Sequence, residues 1–146
     1  MISPEPTFRA LLLRSARLFS DEINLILQPH QLNYSLWQVM YVISRHPDCT
    51  SIEIAHYLNV SKPSIAKRIH TLQQLGLVSL QEAKDRREKK LRLSDHGEVL
   101  YTTCSISIQQ LENSLLTHLT TQQVENSKES FEILIQALLS FKADNP

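Results

Sequence analysis

The sequence predicts a mainly α-helical fold interrupted by one small β-hairpin. Apolar residues recur at helical spacing along most of the chain, and the period shortens from about 3.6 residues to about 2 only between Val78 and Leu93, around a charged tip. A length of 146 residues with 42% hydrophobic content suffices for one domain with a real core. The longest apolar run, Val39 to Ile43, falls far short of the roughly 18 residues that suggest a membrane span. The N-terminus has two prolines and an acid where a secretory signal has a basic and then an apolar region, so a cytoplasmic location is expected.

The first helix is expected from Thr7 to Gln28, with Phe8, Leu11, Leu12, Ala16, Phe19, Ile23, Ile26 and Leu27 as its apolar positions. Pro6 suits its first turn and Pro29 ends it. A second helix is expected from about Ser35, as cap, to His46, stopped by Pro47 and followed by a loop around Cys49. Thr50-Ser51-Ile52-Glu53 has the form of a capping box, in which the Thr hydroxyl and the Glu carboxylate each take a backbone N–H that the helix leaves unpaired. The short helix it opens runs to about Leu58. Asn59-Val60-Ser61 then makes a tight turn, Ser61 caps a further helix that tolerates Pro63 in its first turn, and Gly76 supplies the left-handed residue that ends it.

Val78 with Leu80, and Leu91 with Leu93, are the apolar sides of two strands. Their connecting tip, Ala83 to Glu88, has no glycine and is expected to be longer than a two-residue turn. Beyond it, Leu100, Cys104, Ile108, Leu111 and Leu115 form one helical stripe. Val124, Phe131, Leu134, Ile135, Leu138 and Phe141 form another, behind a cap at Thr120 and Gln123.

The formal net charge is zero, but it is unevenly spread. Between Val60 and His96 nine basic residues face four acids, a local +5 balanced by −5 elsewhere. A basic middle between acidic ends is the footprint of a site for a polyanion. Within it, Ile65, Ile69 and Leu72 occupy one face of the helix after Ser61, and Ser64, Lys67, Arg68 and Thr71 the other. A short helix, a turn and a second helix with a polar, basic face match a helix-turn-helix, whose second helix enters the major groove of duplex DNA. Ser61, Lys62, Pro63 and Ser64 stand at its N-terminus, where free N–H groups and the helix dipole favour a phosphate, and Lys67 and Arg68 can reach phosphates or a guanine edge. In the hairpin, Lys84, Asp85, Arg86, Arg87 and Lys89 extend the basic surface. Asp85 can orient one guanidinium and leave another for a narrow, electronegative minor groove.

Taken together, Ile54-Ala55, Leu75-Gly76-Leu77-Val78, Asp85-x-Arg87 and Leu93-Ser94-Asp95-His96-Gly97 resemble the MarR/SlyA family of bacterial winged helix-turn-helix transcriptional regulators, over nearly the whole chain. The resemblance implies a winged helix-turn-helix DNA-binding domain plus a helical dimerisation domain. Residues 33–97 are then the winged lobe, with motif helices at about 51–58 and 61–75 and the wing at about 77–94, while 5–29 and 96–143 are dimerisation helices from both chains. It also implies that Arg87 enters the minor groove with Asp85 as its positioning partner. A two-fold dimer would read near-palindromic half-sites about one DNA turn, roughly 34 Å, apart.

Members of this family often respond to small phenolic or aromatic compounds, or to cysteine oxidation. Tyr34, Trp37 and Tyr41 are candidate walls of an aromatic pocket, with plain core packing as the alternative. Cys104 lies on an apolar stripe, where a buried inert thiol is the ordinary outcome, and Cys49 lies in a loop that can be accessible. The peroxide-sensing branch carries its cysteine in the first helix, where this sequence has none. Six scattered histidines show no zinc-ligand spacing, so no metal or cofactor is expected. Other readings are a winged helix that docks on an acidic protein, separable by salt titration with DNA, and a redox regulator using Cys104 or Cys49. Catalysis is not expected, for want of a Gly-rich phosphate loop, a nucleophile elbow or a metal-spaced cluster.

Overall fold

The computed structural model describes residues 1–2, 4–82 and 89–145. In chain order it contains α1 (Phe8–Leu27), a 3₁₀ turn (Gln28–His30), α2 (Tyr34–Arg45), α3 (Ser51–Leu58), α4 (Lys62–Gln74), β1 (Val78–Glu82), β2 (Lys89–Leu93), α5 (Asp95–Leu116) and α6 (Thr121–Asp144). The chain forms two compact units, Met1–Ile108 and Gln109–Pro146. Among the described residues no helix is long and apolar enough to cross a membrane.

The helix starts follow side-chain capping. Thr7 accepts from Ala10 N, Thr50 and Glu53 close a complete capping box, Ser61 accepts from Ser64 N, and Thr120 with Gln123 closes a second box. One start differs from expectation. α2 begins at Tyr34, capped by Asn33, whose Oδ1 accepts from Leu36 N at 2.9 Å, and Ser35 lies inside the first turn. Asn24 of α1 takes the Tyr34 N–H at 2.8 Å, so the start of α2 is pinned to its neighbour and not chosen by local propensity alone. Pro6 precedes the Thr7 cap, and Pro29 falls within the 3₁₀ turn, which Gln31 closes in the left-handed region. At the end of α4, Gly76 at φ 72° lets its own N–H reach Gln73 O and the Leu77 N–H reach Leu72 O, both at 2.9 Å, which is a Schellman closure.

β1 and β2 pair antiparallel, with Val78 opposite Leu93 and Glu82 opposite Lys89. A third short edge, absent from the sequence reading, is added by Cys49, which bridges Leu91. The core of the first unit is made by Leu27, Val39, Met40, Ile43, Ile54, Ile65, Leu72, Leu77, Leu91 and Cys104, all fully buried. α4 thus rests its Ile65, Ile69 and Leu72 face on this core and turns its polar face outward. In contrast, α6 buries none of its residues, and Phe131, Ile135, Leu138 and Phe141 are all exposed. α1 buries only Ile23 and Leu27 of its apolar positions.

Candidate nucleic-acid interface

The exposed surface begins at the Ser61 cap. Its hydroxyl accepts from Ser64 N at 3.3 Å and lies 2.8 Å from the Ser64 hydroxyl, so the first turn of α4 presents two hydroxyls beside the backbone N–H of Lys62, while Pro63 has none and those of Ser64 and Ile65 are taken by Ser61. Lys62, Pro63, Ser64 and Lys67 are exposed. Among the described residues no carboxylate pairs with Lys62 or Lys67, so both ammonium groups can meet an external anion. Arg68 and Thr71, on the same face, are half-buried and partly engaged. One Arg68 guanidinium nitrogen donates to Ser35 O at 3.3 Å, which ties α4 to α2, and the Thr71 hydroxyl donates back to Lys67 O at 3.1 Å. Arg68 retains further N–H donors, and the Thr71 oxygen can still accept.

α4 leads into β1 through Gly76 and Leu77, so the basic helix and the hairpin adjoin in the fold as in the sequence. Lys89 and Lys90 are exposed on β2. Lys84, Asp85, Arg86 and Arg87 lie outside the described residues. Arg92, counted with the basic cluster in the sequence, is committed elsewhere: Nε and Nη2 each lie 2.7 Å from a carboxylate oxygen of Asp48. This two-point pair holds the Asp48 carboxyl below its ordinary range, chiefly through the hydrogen bonds from Arg92. Asp48 itself adopts φ 69°, and its N–H donates to Leu91 O while Leu91 N donates to Cys49 O. The segment between α2 and α3 is therefore fastened to the hairpin by one ion pair and two backbone hydrogen bonds. No local signal announces a partnership 44 positions apart.

At the other root of the hairpin, Ser94 Oγ donates to Gly76 O at 2.6 Å and accepts from Gly97 N at 2.9 Å, capping α5. Ser94 N donates to Leu77 O at 2.9 Å. Gly97 makes this approach possible, since a Cβ built there would lie 2.1 Å from that same carbonyl oxygen.

The MarR family model matches residues 30–88, the stretch from the 3₁₀ turn to the residue before β2. The uncharacterized HTH-type transcriptional regulator YwoH of Bacillus subtilis is 30% identical over 123 residues, spanning 84% of this chain and 90% of its own length. The chain belongs to the MarR family of transcriptional regulators. Solved structures agree in fold. Staphylococcus aureus MarR in complex with salicylate and kanamycin gives a TM-score of 0.84 at 24% identity, covering 91% of each chain. The S. aureus MepR–DNA complex gives 0.83 at 17% identity, covering 93% of this chain and 99% of that one.

In this MarR-family protein the three aromatics of α2 have different surroundings. Trp37 is buried with its ring stacked on Tyr101, centroids 4.7 Å apart, while Tyr34 and Tyr41 are exposed and Arg45 stands 5.8 Å over the Tyr41 ring. Both thiols are buried. Cys104 has 1% of its surface exposed, and burial pushes its pKa up. Cys49 corrects the expectation of an accessible loop. Once Asp48 turns the backbone, the chain runs against β2 and Cys49 is buried, with 5% exposure. Its pKa is pushed up to about 11, first by burial and then by the nearby Glu53 carboxylate. In both residues burial disfavours the thiolate. Among the described residues no three His, Cys, Asp or Glu side chains group as metal ligands.

Proposed function

We propose that this MarR-family regulator is a homodimeric repressor of a nearby operon that binds near-palindromic duplex DNA and is released by a small aromatic ligand. Residues 33–97 form its winged lobe, and 5–29 with 96–143 its dimerisation helices. The observation that carries the reading is the outward face of α4, where Ser61, Lys62, Pro63, Ser64 and Lys67 are exposed together at a helix N-terminus, with no carboxylate pairing either lysine among the described residues. In the major groove this face places the helix dipole and the Ser61 and Ser64 hydroxyls at a phosphate, with Lys67, Arg68 and Thr71 toward base edges or backbone. Arg87, oriented by Asp85, enters the minor groove, and Lys84, Arg86 and Lys89 hold the flanking phosphates.

Dimerisation is supported by the bare apolar side chains of α1 and α6. Phe8, Leu11, Phe131, Ile135, Leu138 and Phe141 all face water in the single chain, an arrangement that a second copy relieves. Two chains then present two α4 helices to half-sites about one turn of DNA apart. An aromatic ligand fits the S. aureus neighbour solved with salicylate and the aromatics Tyr34, Trp37 and Tyr41 on α2.

The reading is tested by titrating the protein with the DNA flanking its own gene over a range of salt. A binder that neutralises several phosphates loses affinity linearly in log–log form, with a slope set by their number. Absence of salt-sensitive affinity for any duplex fragment overturns it. Release of that DNA by salicylate or a related aromatic acid tests the ligand part.

A further inference from the structure

α4 carries two adjacent cations, Lys67 and Arg68, and no acid. The two leave the helix in different directions. At about 100° per residue, Lys67 lies roughly 170° from the mean direction of the buried Ile65, Ile69 and Leu72, and Arg68 only roughly 70° from it. Lys67 therefore stands opposite the core and is exposed, while Arg68 leaves from the flank and is half-buried. There one guanidinium nitrogen donates to Ser35 O, in the first turn of α2, at 3.3 Å. We propose that Arg68 is a phosphate clamp: braced on α2, it holds the DNA backbone at one wall of the major groove and reads no base. This assigns one of the two cations its role within the DNA-binding reading above, on which it rests.

Direction, bracing and charge agree. A helix with its side chains is about as wide as the major groove, roughly 12 Å, so side chains opposite the core meet the floor of the groove and those on the flanks meet its walls. The floor carries base edges and the walls carry phosphates. To pair with guanine O6 and N7, a guanidinium must turn its fork toward the floor. The fork of Arg68 already rests one nitrogen on Ser35 O, which holds it beside α2. The brace leaves the charge intact, because a carbonyl is neutral and among the described residues no carboxylate pairs with Arg68. Arg92 differs in this respect, since both oxygens of Asp48 meet it at 2.7 Å. Arg68 thus keeps a full positive charge and further N–H donors for an oxyanion.

Bracing also lowers the cost of the contact. A half-buried side chain with one nitrogen already bonded has less rotamer freedom left to lose when DNA arrives than a free lysine has. Because the brace is on α2, a phosphate held by Arg68 fixes the position of α2 as well as α4 on the duplex, which sets register without choosing sequence. Affinity from this residue is then the same on every sequence, and base selection falls to the side chains opposite the core.

The test uses the full-length protein, a bound fragment of the DNA flanking its own gene, and a set of fragments in which each base pair of the bound stretch is changed in turn. Arg68→Gln can still donate to Ser35 O but carries no charge. It should make the slope of log affinity against log salt shallower by about 0.9 for each subunit bound, and weaken binding by one common factor across the whole set. Arg68→Lys, which keeps the charge, should keep both the parent slope and the parent base preference. Melting curves show that the variants are folded. The clamp is overturned if the loss in Arg68→Gln disappears when one particular base pair is changed, which is the mark of a base contact. It is equally overturned if slope and affinity in Arg68→Gln equal those of the parent, or if Arg68→Lys changes the base preference. Each of these results leaves the regulator reading standing, whereas a parent protein with no salt-sensitive affinity for any duplex overturns that reading and the clamp together.

Discussion

Replacing Gly97 with alanine tests how the hairpin root is joined to α5. A Cβ at this position would stand 2.1 Å from Leu77 O and 3.0 Å from Leu77 C, where ordinary contact begins near 3.4 Å. The first turn of α5 would have to retreat by more than an ångström. That movement stretches the Ser94 N–Leu77 O hydrogen bond beyond its 2.9 Å and draws the Ser94 hydroxyl away from Gly76 O. Two hydrogen bonds at about 1 kcal/mol each, with a further 1–3 kcal/mol for forcing a methyl group against backbone, outweigh the gain of at most about 1 kcal/mol from alanine in a helix. The expected net cost is about 2–4 kcal/mol. For a chain of this size that lowers the melting temperature by roughly 4–16 °C. Thermal unfolding followed by circular dichroism reads it, with the urea midpoint as a second measure. An unchanged or higher melting temperature would refute the reasoning, since it would mean that α5 withdraws from Leu77 without loss.

Arg87→Ala should weaken operator binding by about 1–3 kcal/mol in a filter or fluorescence assay without altering the melting curve, and unchanged affinity would remove the wing from the interface. Asp48→Asn, which keeps the shape but removes the charge facing Arg92, should weaken operator binding while leaving α-helical content intact. Because the Asp48 carboxyl is held below its ordinary range, the stability it lends is present above the free carboxyl's pKa and lost as pH falls through the lowered value. An acid unfolding curve that is the same in Asp48→Asn and the parent would contradict this. Leu138→Glu sets a charge into the exposed stripe of α6 and should yield a monomer by sedimentation, with operator binding lost; a variant that stays dimeric would show that this stripe is not the interface. Cys49, with its pKa near 11, should alkylate slowly at neutral pH and faster by about tenfold per pH unit up to that value, whereas fast labelling at neutral pH would contradict its burial.

The local elements of this protein were legible from residue order, because each is specified within a few residues of itself. The capping boxes at Thr50 and Thr120, the Ser61 cap, the Gly76 closure and the alternation around Val78 and Leu91 are short-range devices. The outward polar face of α4 follows equally from the spacing of Ile65, Ile69 and Leu72 against Ser64, Lys67 and Arg68. Tertiary structure alone decided the contacts that cross the fold. Asn24 of α1 fastened the start of α2 at Tyr34, Arg68 was tied to Ser35, and Arg92 was withdrawn from the basic surface by Asp48. Cys49 became a buried edge of the hairpin although its neighbours describe an open loop. Gly97 owes its place to the carbonyl of Leu77, twenty positions earlier in the chain. Hydrogen bonds, ion pairs and steric contacts act over a few ångströms, so a partner distant in sequence leaves no local pattern until the chain has folded and brought it near.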